Sequence, residues 1–210
     1  LAFAFHTFGL MYTTPSKNAF LTATNVILGP YLLWLVLKRK PTGKEMLASS
    51  MCVIGIALLT LKSDAAQINI GDLLSFICAI FFAAHMIALE KAAPDTDVFA
   101  MTALQMISAG ILSAIFALSV EGIPKAIPAS ASIAIGYSII CSTMLAYLLQ
   151  TWAQKYTSAN HASMILSMEA LWASFFSYCF FRETMSPAML IGAALIFISV
   201  IYIEYQPKKE

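Results

Sequence analysis

Charged residues along this chain fall in short clusters, and the intervals between the clusters are apolar. A helix that crosses a bilayer needs about 20 apolar residues, within a range of about 17–25. Asn18–Leu37, Glu45–Leu61, Leu73–Leu89, Val98–Val120, Asn160–Phe181 and Pro187–Ile203 each fit that length. The uncharged run Ala126–Gln154 holds one more helix, predicted to begin near Ile133. Leu1–Tyr12 is apolar from its first residue and reads as the tail of a helix, so the chain is expected to be N-terminally truncated. The connections are short and several contain Pro: KRKPTGK, KAAPDTD, EGIPKAIPAS and RETMSP. The pattern predicts seven spanning helices and one partial helix, with no linker for a separate soluble domain.

Composition strengthens this reading. The chain is 60% hydrophobic and 11% charged, with a mean hydropathy of +0.81. Soluble domains run at about 45–50% apolar and about 25% charged residues. The expected fold class is therefore all-α, a polytopic membrane helix bundle. A net charge of +1 gives no reason to expect a nucleic-acid partner. Cys52, Cys78, Cys141 and Cys179 lie inside apolar segments without metal-ligand spacing and read as small hydrophobes. The chain has no phosphate-binding glycine loop, no HExxH and no GxSxG. Neither an ATP-driven motor nor an enzyme is expected, and no metal or cofactor.

Orientation follows from the basic residues. Lys38, Arg39, Lys40, Lys44, Lys91, Lys155, Lys208 and Lys209 fall on one side of the alternation, and Lys17, Lys62, Lys125 and Arg182 on the other. The richer side, carrying the C-terminus, is predicted to be cytoplasmic in a cell-membrane protein.

The chain also repeats. Displaced by 144 residues, Leu1, Ala2, Thr7, Tyr12 and Thr13 meet Leu145, Ala146, Thr151, Tyr156 and Thr157. Helix, charged turn and helix then follow in both copies, with WLVLKRKPTGKE lying over YCFFRETMSPAM. The two charged turns fall on opposite sides of the predicted membrane, so the copies are expected to be inverted. Inverted-topology repeats are a transporter architecture with a midplane substrate site where the halves meet. The expected division is 1–66 for the remainder of one half and 67–210 for the other.

The repeat frames the candidate chemistry. Glu169, the lone acid of SMEALWASFF, aligns with Asn25 of the first copy. A charge at a helix centre costs about 2.5–3.5 kcal/mol on insertion scales and marks a functional site by default. Glu169 could exchange protons with a cavity or pair with a substrate amine; hydrogen-bonded packing between helices is the structural alternative. His85 lies on an otherwise apolar face with Leu74, Cys78, Phe81 and Leu89, and is either a proton relay or a bundle histidine. Gln105 and Tyr147 complete the candidate substrate contacts, with Gln150 near Tyr147. Tyr12 and Tyr156, in matched YT pairs, read as interface anchors. On the Glu169 helix, Asn160, Ser163, Ser167, Ala170, Ser174 and Ser177 recur at spacings of 3 and 4. Such a stripe reads as close helix packing, or as a seam along which helices slide.

FGLMYTTPSKNAFLTATNVILGPYLLWLVLKRKPT and YTSANHASMILSMEALWASFFSYCFFRETMSPAMLIGAALIFISVIYI resemble the paired signatures of EamA-type permeases in the drug/metabolite transporter superfamily. Gly71-Asp72 is similar to the same family. The resemblance implies ten helices in two inverted five-helix halves with cytoplasmic termini, and a secondary carrier of metabolites, amino acids or drugs. Val26 and Ala170 stand where the family commonly has Pro, so both helices are expected to be less interrupted there. Glu183 keeps the family's turn acid, whereas Arg39 replaces it in the first copy. The expected function is secondary transport of small organic metabolites or drugs by alternating access. The alternative is a non-transport helical scaffold that binds a membrane partner. Expected partners are a small-molecule substrate and the bilayer, with a homodimer left open.

Overall fold

The computed structural model describes residues 1–60, 68–120, 128–182 and 185–205, of which Val120, Ala129, Ser130, Ser177 and Phe181 are described by backbone alone. Lys62, Lys125, Glu183, Lys208, Lys209 and the expected division after residue 66 lie outside the described residues. The described residues form helices α1 (Ala2–Tyr12), α2 (Pro15–Ala23), α3 (Asn25–Leu37), α4 (Gly43–Thr60), α5 (Ile70–Ala92), α6 (Val98–Val120), α7 (Ala129–Tyr137), α8 (Ala146–Gln154), α9 (Ala159–Leu166), α10 (Glu169–Phe181) and α11 (Pro187–Glu204). A π-helical segment, Ser138–Leu145, joins α7 to α8, so that helix begins at Ala129 rather than near Ile133. Six helical runs among the described residues are long and apolar enough to cross a membrane. On α6, Leu104, Ile107, Ile111, Ile115 and Leu118 are all exposed. An apolar stripe of that length suits lipid, not water.

Element boundaries repeat with the displacement read in the sequence. α3 and α10 are each 13 residues long and start at Asn25 and Glu169, 169 − 25 = 144 apart. α4 and α11 are each 18 residues long and start at Gly43 and Pro187, also 187 − 43 = 144 apart. The caps repeat as well. The hydroxyl of Thr14 accepts from Lys17 N at 3.3 Å, and that of Ser158 from His161 N at 3.4 Å. Each satisfies an amide that the first turn of its helix leaves unpaired. At the far ends Lys38 and Arg182 close α3 and α10 in the left-handed conformation, with φ 57° and 54°.

One expectation fails. Both helices are interrupted where Val26 and Ala170 replace Pro. Thr24 separates α2 from α3, and Ser167 and Met168 separate α9 from α10. Hydroxyls do the work expected of Pro. Thr24 Oγ1 donates to Leu21 O at 2.5 Å, and Ser167 Oγ to Ser163 O at 2.9 Å. Around them the backbone tightens to three-residue turns, with Thr24 N to Leu21 O at 3.2 Å and Met168 N to Ile165 O at 3.0 Å. A Ser or Thr bonded back along its helix competes with the helical ladder and bends it.

The chain divides into two compact units, residues 89–157 with Leu1, and residues 2–88 with 158–210, the division running through α5. In the smaller unit, α6 packs on α8. Gln105 Nε2 donates to Thr151 Oγ1 at 3.1 Å, and Lys155 Nζ to Thr96 O at 2.9 Å. The larger unit is organised by α4 and α11. Lys44, at the start of α4, donates from Nζ to Ile203 O at 2.9 Å and Tyr205 O at 2.5 Å, at the end of α11. The two helices are thus antiparallel, and a lysine faces the negative end of the α11 dipole. They touch backbone to backbone: a Cβ built on Gly55 would lie 2.7 Å from Gly192 O, and one on Gly192 would lie 2.5 Å from Gly55 O. Around this contact Val26, Ala48, Cys52, Ile56, Leu59, Met164, Ile196 and Ile203 form a buried core. Leu33, Met86, Ile87, Ala159 and Ala162 form a second.

Gly192→Val forces α11 away from α4 and is expected to cost about 1–3 kcal/mol. Gly110→Ala has nothing within 4 Å of the added carbon and is expected to be neutral or stabilising. Thermal unfolding in lipid–detergent micelles compares the two.

Candidate functional site

Polar residues of the larger unit gather in three places. At one end of α2, Asp72 opens α5 and accepts from Thr13 Oγ1 at 2.5 Å, Lys17 Nζ at 2.6 Å and Asn69 N at 3.0 Å. The side chains of Lys17 and Asp72 are only 12% and 8% exposed. Beside them Gly71 meets α1 without room for a side chain; a Cβ there would lie 2.6 Å from Gly9 O. Asn18 ties the same corner by donating to Ser75 Oγ at 2.9 Å and His6 O at 3.3 Å. Gly71-Asp72, noted in the sequence only as a resemblance, thus has a physical reason: the glycine admits α1, and the aspartate binds the loop after α1 and the first turn of α2.

At the other end of α3 lies a second cluster. Glu45 accepts from Arg39 Nη2 at 3.0 Å, Thr42 N at 2.8 Å and Thr42 Oγ1 at 2.9 Å, and its side chain is buried. His161 Nδ1 lies 2.9 Å from Glu204 Oε1. Arg39 occupies the place of the family's turn acid and partners an acid six residues on.

The third place is the pair of interruptions. Asn25 and Glu169 are the first residues of α3 and α10, so both stand at breaks in their helices. Asn25 is half-buried, and Glu169 is exposed. Its neighbours Leu166, Trp172 and Phe176 are exposed too, whereas Ala170 and Leu171 pack on the core. His85 lies half-buried on α5. A groove of about 550 Å³ between α3 and α5, lined by Tyr31, Trp34, Leu35, Lys38, Phe76 and Ile80, contains none of the predicted site residues. Its apolar lining fits it poorly for selecting a polar solute.

The smaller unit holds the other two candidates. Gln105 reaches Thr151 and Met101 O through Nε2, while its Oε1 is buried without a hydrogen-bond partner. Tyr147 is half-buried, one turn of α8 before Thr151 and two residues after the end of the π segment. Single π turns recur at functional sites because they re-aim the residues that follow. The structure thus puts Asn25, His85 and Glu169 in one unit, and Gln105 and Tyr147 in the other. Sequence reasoning missed the Lys17–Asp72 and Arg39–Glu45 pairs, the π segment, and the buried Thr151 and Asn160. For Arg39–Glu45 a signal was present, since KRKPTGKE carries one acid among its basic residues, but Lys17 and Asp72, 55 residues apart, meet only through the fold.

Apolar helices of spanning length, lipid-suited outer faces and polar residues held inside define a multi-pass membrane protein. The comparisons make it specific: residues 69–205 match the EamA-like transporter family, and the chain belongs to that family. An uncharacterized transporter of Archaeoglobus fulgidus is 31% identical over 203 residues, covering 97% of this chain and 65% of its own length. The uncharacterized transporter YwfM of Bacillus subtilis is 26% identical over 212 residues, covering 96% of this chain and 70% of its own. The chain therefore spans about two thirds of the length of these relatives. A crystal structure at 16% identity shares the fold, with TM-score 0.82 over 97% of this chain and 71% of that one. Family membership favours the transporter reading over the scaffold alternative.

Removing one partner of a buried ion pair leaves the other charge uncompensated, at about 3–5 kcal/mol. Asp72→Ala is therefore expected to lower stability by about that amount. Asp72→Leu combined with Lys17→Met is expected to recover most of it, as measured by thermal unfolding of the two variants against wild type.

Proposed function

We propose that this chain works in secondary transport of small organic metabolites or drugs across the cytoplasmic membrane, by alternating access between two inverted copies, residues 1–66 and 67–210. The observation that carries the proposal is the repeated interruption. Equivalent helices, 144 residues apart, break at equivalent depth and place Asn25 and Glu169 at the breaks. Discontinuous helices are where secondary transporters hold substrate and coupling ions. The antiparallel run of α4 and α11, which are equivalent elements, supports the inverted arrangement. In this reading the C-terminus is cytoplasmic.

Within that scheme Glu169 carries the coupling. An ionisable group inside a membrane segment faces a bundle interior or a water-filled cavity, because lipid contact is too costly. Glu169 is not absorbed into the packing of its own unit, which leaves its carboxyl available to a cavity. It exchanges a proton or pairs with a substrate amine, and Asn25 supplies a neutral donor and acceptor at the matching break. His85, Gln105 and Tyr147 are proposed as further substrate contacts. The partly bonded Gln105, with one buried acceptor unfilled, supports its part in this.

Uptake into vesicles under an imposed pH difference tests the proposal with the full-length protein and a panel of metabolites. Glu169→Gln is expected to reduce proton-driven uptake about tenfold, equivalent to about 1.4 kcal/mol. Equal uptake by both proteins removes Glu169 from the coupling step.

A further inference from the structure

The groove between α3 and α5 holds none of the proposed transport residues, and its chemistry suits a different ligand. It is open along its side, because Tyr31, Trp34, Leu35, Phe76 and Ile80 are all exposed. On α3 its wall runs from Leu28 to Lys38. Those ten residues cover about 15 Å at 1.5 Å each. A hydrocarbon core about 30 Å thick is twice as deep, so the groove matches one leaflet. Leu28 stands one turn after the break at Thr24, and Lys38 closes α3. The groove therefore runs from the depth of the break to the end of the helix.

Its lining changes along that run. Leu28, Phe76 and Ile80 are wholly apolar. Trp34, one turn before Lys38, joins an apolar ring to a polar N–H, the character of residues that settle at the headgroup level. At the end the charge is positive. Lys38 lines the groove and Lys40 follows two residues on, both exposed. Arg39 between them is held by Glu45. Among the described residues no acid pairs with Lys38 or Lys40. The last carbonyls of α3 place about half a negative charge there, which two lysines outweigh. A small soluble anion leaves the apolar wall unfilled, and an apolar solute leaves the lysines without a counter-charge. An amphiphile with an apolar tail and an anionic head meets both.

We propose that the α3–α5 groove binds an anionic phospholipid, with one acyl chain lying along Leu28–Leu35 and the phosphate held at Lys38 and Lys40. Lipid tails are as apolar as the groove, so the tail supplies the fit and the head supplies the preference. Basic pockets between membrane helices on the cytoplasmic side are where anionic head groups bind, and the orientation proposed above puts Lys38 on that side. The inference does not depend on what is transported. It gives the KRK turn a role besides setting topology.

Trp34 reports on the groove directly. Full-length protein with every other Trp replaced by Phe is reconstituted into phosphatidylcholine vesicles. Phosphatidylglycerol or phosphatidylcholine, brominated on an acyl chain, is then included at rising mole fraction. Bromine quenches a tryptophan that it touches. Brominated phosphatidylglycerol is expected to reach half of its quenching at a mole fraction about tenfold lower than brominated phosphatidylcholine. Lys38→Gln with Lys40→Gln is expected to abolish that difference, and Lys38→Arg with Lys40→Arg to keep it. Leu28→Phe with Ile80→Phe crowds the groove, leaves both lysines in place and is expected to reduce the difference. Equal quenching by the two lipids, or a preference that survives the Gln pair, overturns the proposal. A preference untouched by the Phe pair assigns it to surface charge alone and overturns the groove as the site. Trp34 quenched by neither lipid, as when a protein segment covers the groove, overturns it as well.

Discussion

The contact between Gly55 and Gly192 sets the arrangement of the larger unit. Without side chains on either residue, α4 and α11 approach until each backbone meets the other's carbonyl oxygen. Between apolar helices in lipid there is little hydrophobic drive to associate, so close packing of small residues supplies it. That contact aligns the two helices antiparallel, lets Lys44 close the end of α11, and gathers Ile56, Met164 and Ile196 into one core. The helices so joined are equivalent members of the repeat. The same packing holds α9 beside α4, with Asn160 and Ser163 buried away from lipid.

The second constraint is the bilayer's intolerance of unpaired backbone groups. A helix can be broken at mid-depth only if the freed carbonyls find donors. Thr24 and Ser167 supply hydroxyls to the carbonyls of Leu21 and Ser163, and the breaks survive without Pro. This links local chemistry to the proposed function. The positions that interrupt the helices also set Asn25 and Glu169 at helix starts, while three-residue turns keep amides at the breaks, those of Ile27 and Ala170 among them, hydrogen-bonded.

Much of the fold was legible in the sequence, because spacing of charges and length of apolar runs are one-dimensional signals. The displacement of 144 residues, found from a few identities near Leu1 and Leu145, reappears in the bounds of α3, α4, α10 and α11. The interruptions were misjudged because attention went to the missing Pro. The hydroxyls of Thr24 and Ser167, one and two residues before the polar positions, carried the information. Asn160 was read as a member of a small-residue stripe, and nothing local says that its amide is buried. That follows only when α4 is placed beside α9. The Lys17–Asp72 pair was invisible for the same reason: its partners belong to different helices, α2 and α5, and only the fold brings them together.

The account rests on two copies that cross the membrane in opposite directions. The direct test is the sidedness of equivalent turns in the full-length protein. Single cysteines, introduced as Pro41→Cys and Met185→Cys with the four native cysteines replaced by alanine, are labelled in sealed vesicles of known orientation with a membrane-impermeant maleimide. The account predicts that the two positions are labelled from opposite faces, the first from the cytoplasmic one. Labelling of both from the same face contradicts it.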